Sequence, residues 1–288
     1  MLSIDLTGKR ALVAGIADDK GYGWAIVRAL AQAGASVCVG TWPPTMRIFT
    51  KSLERGKLDI SLPGGGEIEF ERIYPLDAVF DTPEDVPDDV RQDKRYVNLE
   101  GYTIQGVADA LHSDFGDDCL DIVVHSLANG PEVQNALIDT SRSGYLAAVS
   151  ASAYSLACMV QRFGPLMRPG GSVVSLSYLA AERVIPGYGG GMSSAKAALE
   201  GDTRTLAFDA GRRFGIRVNT ICPTFILTPL TKATFDNPER AAWIREKIKL
   251  GRPGEVEDIM GAVVFLASDA SALITGAALM VDGGWTAE

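Results

Sequence analysis

Two tyrosines, a lysine and a run of glycines are the residues of this 288-residue chain whose types and spacing could do chemistry together. Tyr188 lies in PGYGGGMSSAK, residues 186–196, and Tyr178 ten residues earlier. Three glycines separate Tyr188 from a stretch that reads as a helix. Met192 and Lys196 are four apart, so they share one face of that helix. A lysine there can hold a ribose diol and keep a nearby phenol acidic. A tyrosine beside it can donate a hydrogen bond to an oxygen that gains negative charge after hydride transfer. The alternative is that Tyr178 and Tyr188 only pack.

A second set suits a dinucleotide. GIADDKGYG, residues 15–23, follows the first expected strand and opens the first expected helix. Glycines there let the backbone turn tightly and approach a pyrophosphate, which a helix N-terminus attracts. The spacing is not G-x-G-x-x-G, and glycines after a strand often only make a turn. The second strand ends GTW, residues 40–42, with no acid for a ribose 2′-hydroxyl. Trp42 could stack on adenine or pack. Arg47 could meet a 2′-phosphate or be solvated, and the balance leans to NADH. Asp77 and Ala78, after the third strand, could hold the adenine amino group, or Asp77 could make a turn. SLAN, residues 126–129, sits past the fourth strand, where open α/β sheets place ligands.

These residues need a scaffold. Short apolar runs at residues 10–15, 36–41, 120–125, 172–176, 216–221 and 277–281 read as strands, and their near-continuous apolar character implies burial on both faces. Helix-length segments at 23–34, 103–115, 144–167, 192–214 and 255–267 alternate with them. The pattern is α/β: a single-domain, doubly wound parallel sheet of the Rossmann type spanning residues 1–288. Residues 43–102 break the rhythm and read as an insertion at the sheet's edge. Within them, residues 77–100 hold eight acids against three bases.

Composition narrows the function classes. The net charge is −9, which sets nucleic-acid binding aside. No uninterrupted apolar stretch reaches the roughly 18 residues that span a bilayer, so no membrane partner is expected. The N-terminal text lacks the regions of a signal peptide. Cys38, Cys119, Cys158 and Cys222 are widely spaced, without metal-ligand pairing or a disulfide framework. Reduced thiols in a cytoplasm or an organelle stroma are expected. No metal site is expected. His112 reads as a surface residue and His125 as a core histidine. Ser175, thirteen residues before Tyr188, reads as a coincidence of spacing.

The motifs carry a resemblance. The chain resembles the short-chain dehydrogenase/reductase superfamily, and within it the plant and chlamydial type of NADH-dependent enoyl-acyl carrier protein reductase. The matching text runs over residues 6–219: GIADDKGYGW, VGTW, IYPLDAVFDTPEDVP, HSLANGPE, TSRSGYLAA, ERVIPGYGGGMSSAKAALE and IRVNT. Ordinary ketoreductases of the superfamily carry Tyr-x-x-x-Lys. Here Met192 stands four before Lys196 and the phenol of Tyr188 eight before, which is the enoyl reductases' arrangement. The resemblance implies hydride delivery to the β-carbon of a trans-2-enoyl thioester carried by acyl carrier protein or coenzyme A, in fatty-acid elongation. Tyr188 would stabilise the enolate oxygen, Lys196 would position the nicotinamide ribose, and Tyr178 would line the acyl site. By the same resemblance Gly15, Tyr22, Trp42, Asp77, Ala78, Ser126, Leu127, Ala128 and Leu176 line the NADH groove, and the protein is a homotetramer.

After Asn219 the text resembles ordinary short-chain dehydrogenases acting on alcohols and ketones, so the chain reads as a hybrid. Ile226, through its backbone, and Thr228 align with residues that meet the cofactor in both groups. Residues 224–250 would form the substrate lid, with Phe225, Leu227 and Leu230 as an apolar wall or as simple loop packing. Residues 232–252 carry six bases against three acids. An acidic carrier protein could dock there, or the stretch is a solvated face. A dehydrogenase acting on a ketone or alcohol, and a nucleotide-binding protein with little catalysis, are the competing readings.

Overall fold

Buried, β-branched runs form seven strands, and the amphipathic segments between them become helices that cover both faces. The computed structural model describes residues 4–228 and 231–287, apart from the Ala233 side chain. In chain order the elements are β1 Arg10–Ile16, α1 Tyr22–Gln32, β2 Ser36–Thr41, α2 Pro43–Glu54, β3 Phe70–Pro75, α3 Asp88–Gln92 and α4 Ile104–Phe115. There follow β4 Leu120–His125, α5 Arg142–Val149, α6 Ser155–Phe163, β5 Met167–Leu176, α7 Met192–Phe214 and β6 Arg217–Pro223. The chain ends with α8 Lys232–Asp236, α9 Pro238–Lys247, α10 Met260–Ala267 and β7 Ala278–Val281.

The strands form one parallel sheet in the order β3-β2-β1-β4-β5-β6-β7. Strand order reverses between β1 and β4, so a crevice opens at their carboxyl ends. One face is packed by residues such as Leu111, Met159, Phe163 and Leu199, the other by Ile26, Leu30, Val263 and Leu266. A smaller apolar cluster gathers Phe225, Ile244, Ile248 and Trp285 beside the carboxyl ends of β5 and β6.

Most expected elements are present within a few residues, with two instructive differences. The helix expected over residues 144–167 is broken into α5, a π-helical segment Ser150–Tyr154, and α6. The extra residue per turn brings Ser152 to Asn129, past the end of β4: its Oγ accepts from the Asn129 N–H at 3.0 Å. The stretch read as an insertion, residues 43–102, contains α2 and β3, so its first part belongs to the sheet. β3 reads FERIYP and buries only Tyr74. An edge strand of that kind lacks the apolar pattern that marks the central strands. The helical run Arg142–Leu166 is long and apolar enough to cross a bilayer, yet 56% of its most apolar window is buried inside the protein.

Candidate active site

The crevice at the switch point is shaped by a glycine. Gly15, next to the last residue of β1, is in a left-handed conformation, φ +103°, and a Cβ there would overlap the Ser126 carbonyl oxygen. A cavity of about 400 Å³ opens beside it, bordered by Gly15, Trp42, Asp77, Ala78, Ser126, Leu127 and Ala128. Seven of the residues expected to hold a dinucleotide thus meet in one place. Asp77 is buried, and its Oδ2 accepts from Trp42 Nε1 at 3.1 Å and from the Tyr96 hydroxyl at 2.7 Å. Trp42 is half exposed at the cavity's rim, with its indole edge held by that bond. Arg47 is exposed on α2. A backbone that only glycine permits, an open rim aromatic and an inward-facing acid fit an adenine nucleotide.

Lys196 lies deeper. It leaves the first turns of α7 at 4% exposure, and its Nζ donates to the Leu176 carbonyl at 2.7 Å. Burial pulls its pKa down to about 8, against the opposing pull of Cys222 and Glu200. Two of the three ammonium donors remain for a ligand once the Leu176 carbonyl is served. One turn before Lys196 on the same face stands Met192, 3% exposed, which packs against Gly130 and takes a weak contact from Ser152 Oγ at 3.8 Å. The place that a tyrosine fills in a Tyr-x-x-x-Lys enzyme is therefore occupied by a buried thioether.

Tyr188 is carried on the glycine loop ahead of α7. Gly189 and Gly190 donate to the Val133 and Asn135 carbonyls at 2.9 and 3.0 Å, and a Cβ on Gly189 would overlap the Asn135 carbonyl oxygen. The triple glycine therefore serves close approach as well as the turn into the helix. The Tyr188 ring meets Tyr178 edge to face at 4.9 Å, and Tyr178 meets Phe225 at 5.9 Å. Burial pushes both phenols well above their ordinary pKa. Tyr22, pushed up by burial and by Tyr188, stands close to the same ring. The sequence reading that Lys196 keeps a phenol acidic is corrected here: the low-dielectric surroundings hold Tyr188 protonated, which suits a hydrogen-bond donor and not a base.

The segment after β6 closes over these rings. Phe225 stacks near Trp243 and Trp285, at 6.2 and 5.6 Å. Arg240 of α9 donates to the Pro186 carbonyl, tying this segment to the tyrosine loop. Leu227 is half exposed and outside the aromatic cluster, and Leu230 lies outside the described residues. Ile226 bridges to Gly254, and its carbonyl accepts from Thr231 Oγ1 at 2.6 Å. Thr228 Oγ1 lies 3.1 Å from the same hydroxyl. In the basic stretch, Lys232 pairs with Asp236 at 2.8 Å and Arg252 with Asp258 at 2.6 Å.

The remaining candidates have plain roles. His125 is fully buried, with Nε2 at 2.7 Å from Ser155 Oγ, and burial drives its pKa down to about 3. His112 faces Asp117 at 3.3 Å on the surface. The Ser175 hydroxyl is buried without a partner among the described residues. All four cysteines are buried and unpaired as disulfides, and no group of three metal-ligating side chains occurs among the described residues. Sequence reasoning missed Tyr96, Trp243, Trp285 and Glu200. Only Glu200 carried a signal, its position one helical turn beyond Lys196.

Comparison with known proteins gives the same family throughout. The family model for enoyl-(acyl carrier protein) reductase matches residues 99–286. The chloroplastic protein named enoyl-[acyl-carrier-protein] reductase [NADH] 2 of Oryza sativa subsp. japonica is 53% identical over 285 residues, covering 98% of this chain and 76% of that one. A crystal structure of the Plasmodium berghei enoyl-acyl-carrier-protein reductase with triclosan superposes with a TM-score of 0.91 at 42% identity, over 98% of both chains. The Anaplasma phagocytophilum reductase in complex with NAD superposes with a TM-score of 0.78 at 27% identity, over 98% of this chain and 94% of that one. These alignments run through the tail after Asn219, whose text reads like ordinary dehydrogenases. The chain belongs to the enoyl-acyl carrier protein reductase family.

Proposed function

We propose that this protein reduces a trans-2-enoyl thioester, borne on acyl carrier protein, to the saturated acyl thioester with NADH, as a step of fatty-acid elongation. The observation that carries the reading is a buried Lys196 at the start of α7, with Tyr188 on the glycine loop just ahead of that helix, while Met192 closes the position a ketoreductase would use. NADH held in the crevice would supply the hydride for the β-carbon of the enoyl group. The alkene electron pair then moves toward the thioester carbonyl, and Tyr188 donates its O–H to that oxygen as negative charge gathers there. The α-carbon completes the reduction by taking a proton that comes ultimately from solvent water, while the thioester carbonyl re-forms from the enolate. Lys196 orients the ribose with the donors left after its bond to the Leu176 carbonyl, and Tyr178 lines the acyl side.

Gly15, Tyr22, Trp42, Asp77, Ala78, Ser126, Leu127, Ala128, Leu176, Ile226 and Thr228 complete the proposed NADH groove. Asp77 accepts from the adenine amino group, and Trp42 covers its face. The aromatic segment of Phe225, Trp243 and Trp285 excludes water from the reacting atoms. An organelle stroma, in keeping with the chloroplastic rice relative, and a homotetrameric assembly belong to the same proposal. Steady-state kinetics of Tyr188→Phe test it: kcat should fall about 10²-fold while the NADH dissociation constant stays within about twofold. A fully active Tyr188→Phe would overturn the assignment.

A further inference from the structure

Glu200 leaves the same face of α7 as Lys196, one turn further along. It is 6% exposed, an acid almost wholly withdrawn from water. Its Oε1 accepts from Ser177 Oγ at 2.6 Å and from Cys222 Sγ at 3.2 Å. A carboxylate oxygen has lone pairs for both donors. Ser177 is the first residue past β5, and its own N–H donates to the Ile221 carbonyl at 2.8 Å. Cys222 stands on β6. One carboxyl group thus joins α7 to the ends of two neighbouring strands. The residue before Ser177 is Leu176, whose carbonyl receives the Lys196 ammonium. The residue after it is Tyr178, whose ring packs on Tyr188.

The electrostatic surroundings of Lys196 single out the same acid. The titratable groups around it are Glu200 on its own helix, Cys222 on β6 and His125 on β4. Burial holds His125 neutral, and burial followed by Glu200 holds Cys222 as a thiol. Tyr178 and Tyr188 stay protonated. Glu200 is the carboxyl group among these, one helical turn from Lys196 on the same face.

We infer that Glu200 is a positioning residue for the reduction: its carboxylate anchors the turn that carries Leu176 and Tyr178, and it supplies the negative charge that faces the Lys196 ammonium. The inference rests on the roles proposed above for Lys196 and Tyr188. Glu200→Gln keeps the shape and an acceptor oxygen but removes the charge. Its kcat profile with crotonyl-coenzyme A and NADH should lose its basic limb about one pH unit earlier than the parent. Glu200→Asp, which keeps the charge, should keep the limb. Ser177→Ala keeps the charge and cuts the anchor, so kcat should fall about tenfold while KM for NADH changes less than about twofold.

An unmoved limb in Glu200→Gln overturns the inference. Where that variant is not recovered folded, Ser177→Ala decides: the loss in kcat supports the anchor, and a parental kcat overturns it. Lys196→Ala separates the two levels of the argument. A fully active Lys196→Ala removes the proposed site itself. A crippled Lys196→Ala beside a parental Glu200→Gln profile removes only the role of Glu200.

Discussion

Replacing Lys196 with methionine should make the protein more stable while abolishing its activity, and the size of the gain follows from burial. Lys196 is 4% exposed, and burial lowers its pKa from the ordinary 10.5 to about 8. A base lowered in this way binds fewer protons in the folded chain than in the unfolded one between those two values. Below about pH 8 both states are protonated, and the folded state bears the whole cost of the buried charge. Above it the cost fades as the folded lysine becomes neutral. With about 1.4 kcal/mol for each pH unit of difference, the cost is about 3 kcal/mol at about pH 7 and about 1.4 kcal/mol at about pH 9.5.

Methionine fills much of the same space without charge. It leaves the Leu176 carbonyl without its donor, a loss of about 1 kcal/mol. The variant should therefore be about 2 kcal/mol more stable than the parent at about pH 7, and nearly equal to it at about pH 9.5. Urea midpoints at one protein concentration under reducing conditions measure this. The comparison must be variant minus parent, because Cys38, raised by burial to about 12, and the buried tyrosines lose folded-state stability in the same alkaline range and cancel in the difference. A variant less stable than the parent at about pH 7, or a gap that does not change with pH, would refute the reasoning.

Two further substitutions probe the framework of the site. Tyr96→Phe removes one of the donors that hold Asp77, so KM for NADH should rise about three- to tenfold with kcat nearly unchanged, the cost of one charge-assisted hydrogen bond; an unchanged KM would show that Asp77 is held without it. Gly189→Ala drives a Cβ into the Asn135 carbonyl oxygen, so the loop must shift and carry Tyr188 with it. Activity should fall about 10²-fold with a urea midpoint lowered by an amount equivalent to about 1–3 kcal/mol, and parental kinetics would mean that the loop tolerates the methyl group.

The sheet was legible because its central strands are buried on both faces and therefore read as near-continuous apolar runs, as in ALVAGI of β1 and IVV of β4. β3 was legible only as a strand ending before Asp77, without bounds, because an edge strand buries little and FERIYP carries a single buried side chain. The break in the helix over residues 142–163 left no mark. π-helical and α-helical turns draw on the same residue types, and the difference lies in how Ser152 meets Asn129.

At the proposed site, spacing pointed to Lys196 and the glycine loop, and the family resemblance supplied the choice of Tyr188 over the position that Met192 holds. The protonated state of Tyr188 was not legible, because it depends on Tyr178 packed beside it and on the aromatic segment that covers that ring from the far end of the chain. Tyr96 reaches Asp77 from nineteen residues away, through a fold in the acidic stretch that no local pattern encodes. Glu200 was visible as a residue but not as a clamp, since Ser177 and Cys222 meet it only once β5, β6 and α7 are assembled.

The central claim is that Tyr188, displaced from the ketoreductase position, directs the hydride to a carbon–carbon double bond. The most direct measurement follows NADH absorbance with crotonyl-coenzyme A and, in parallel, with acetoacetyl-coenzyme A. The account predicts oxidation of NADH with the enoyl thioester and none with the ketone. Oxidation with the ketone alone would contradict it, and would mean that the segment after β6 has turned the site to carbonyl reduction.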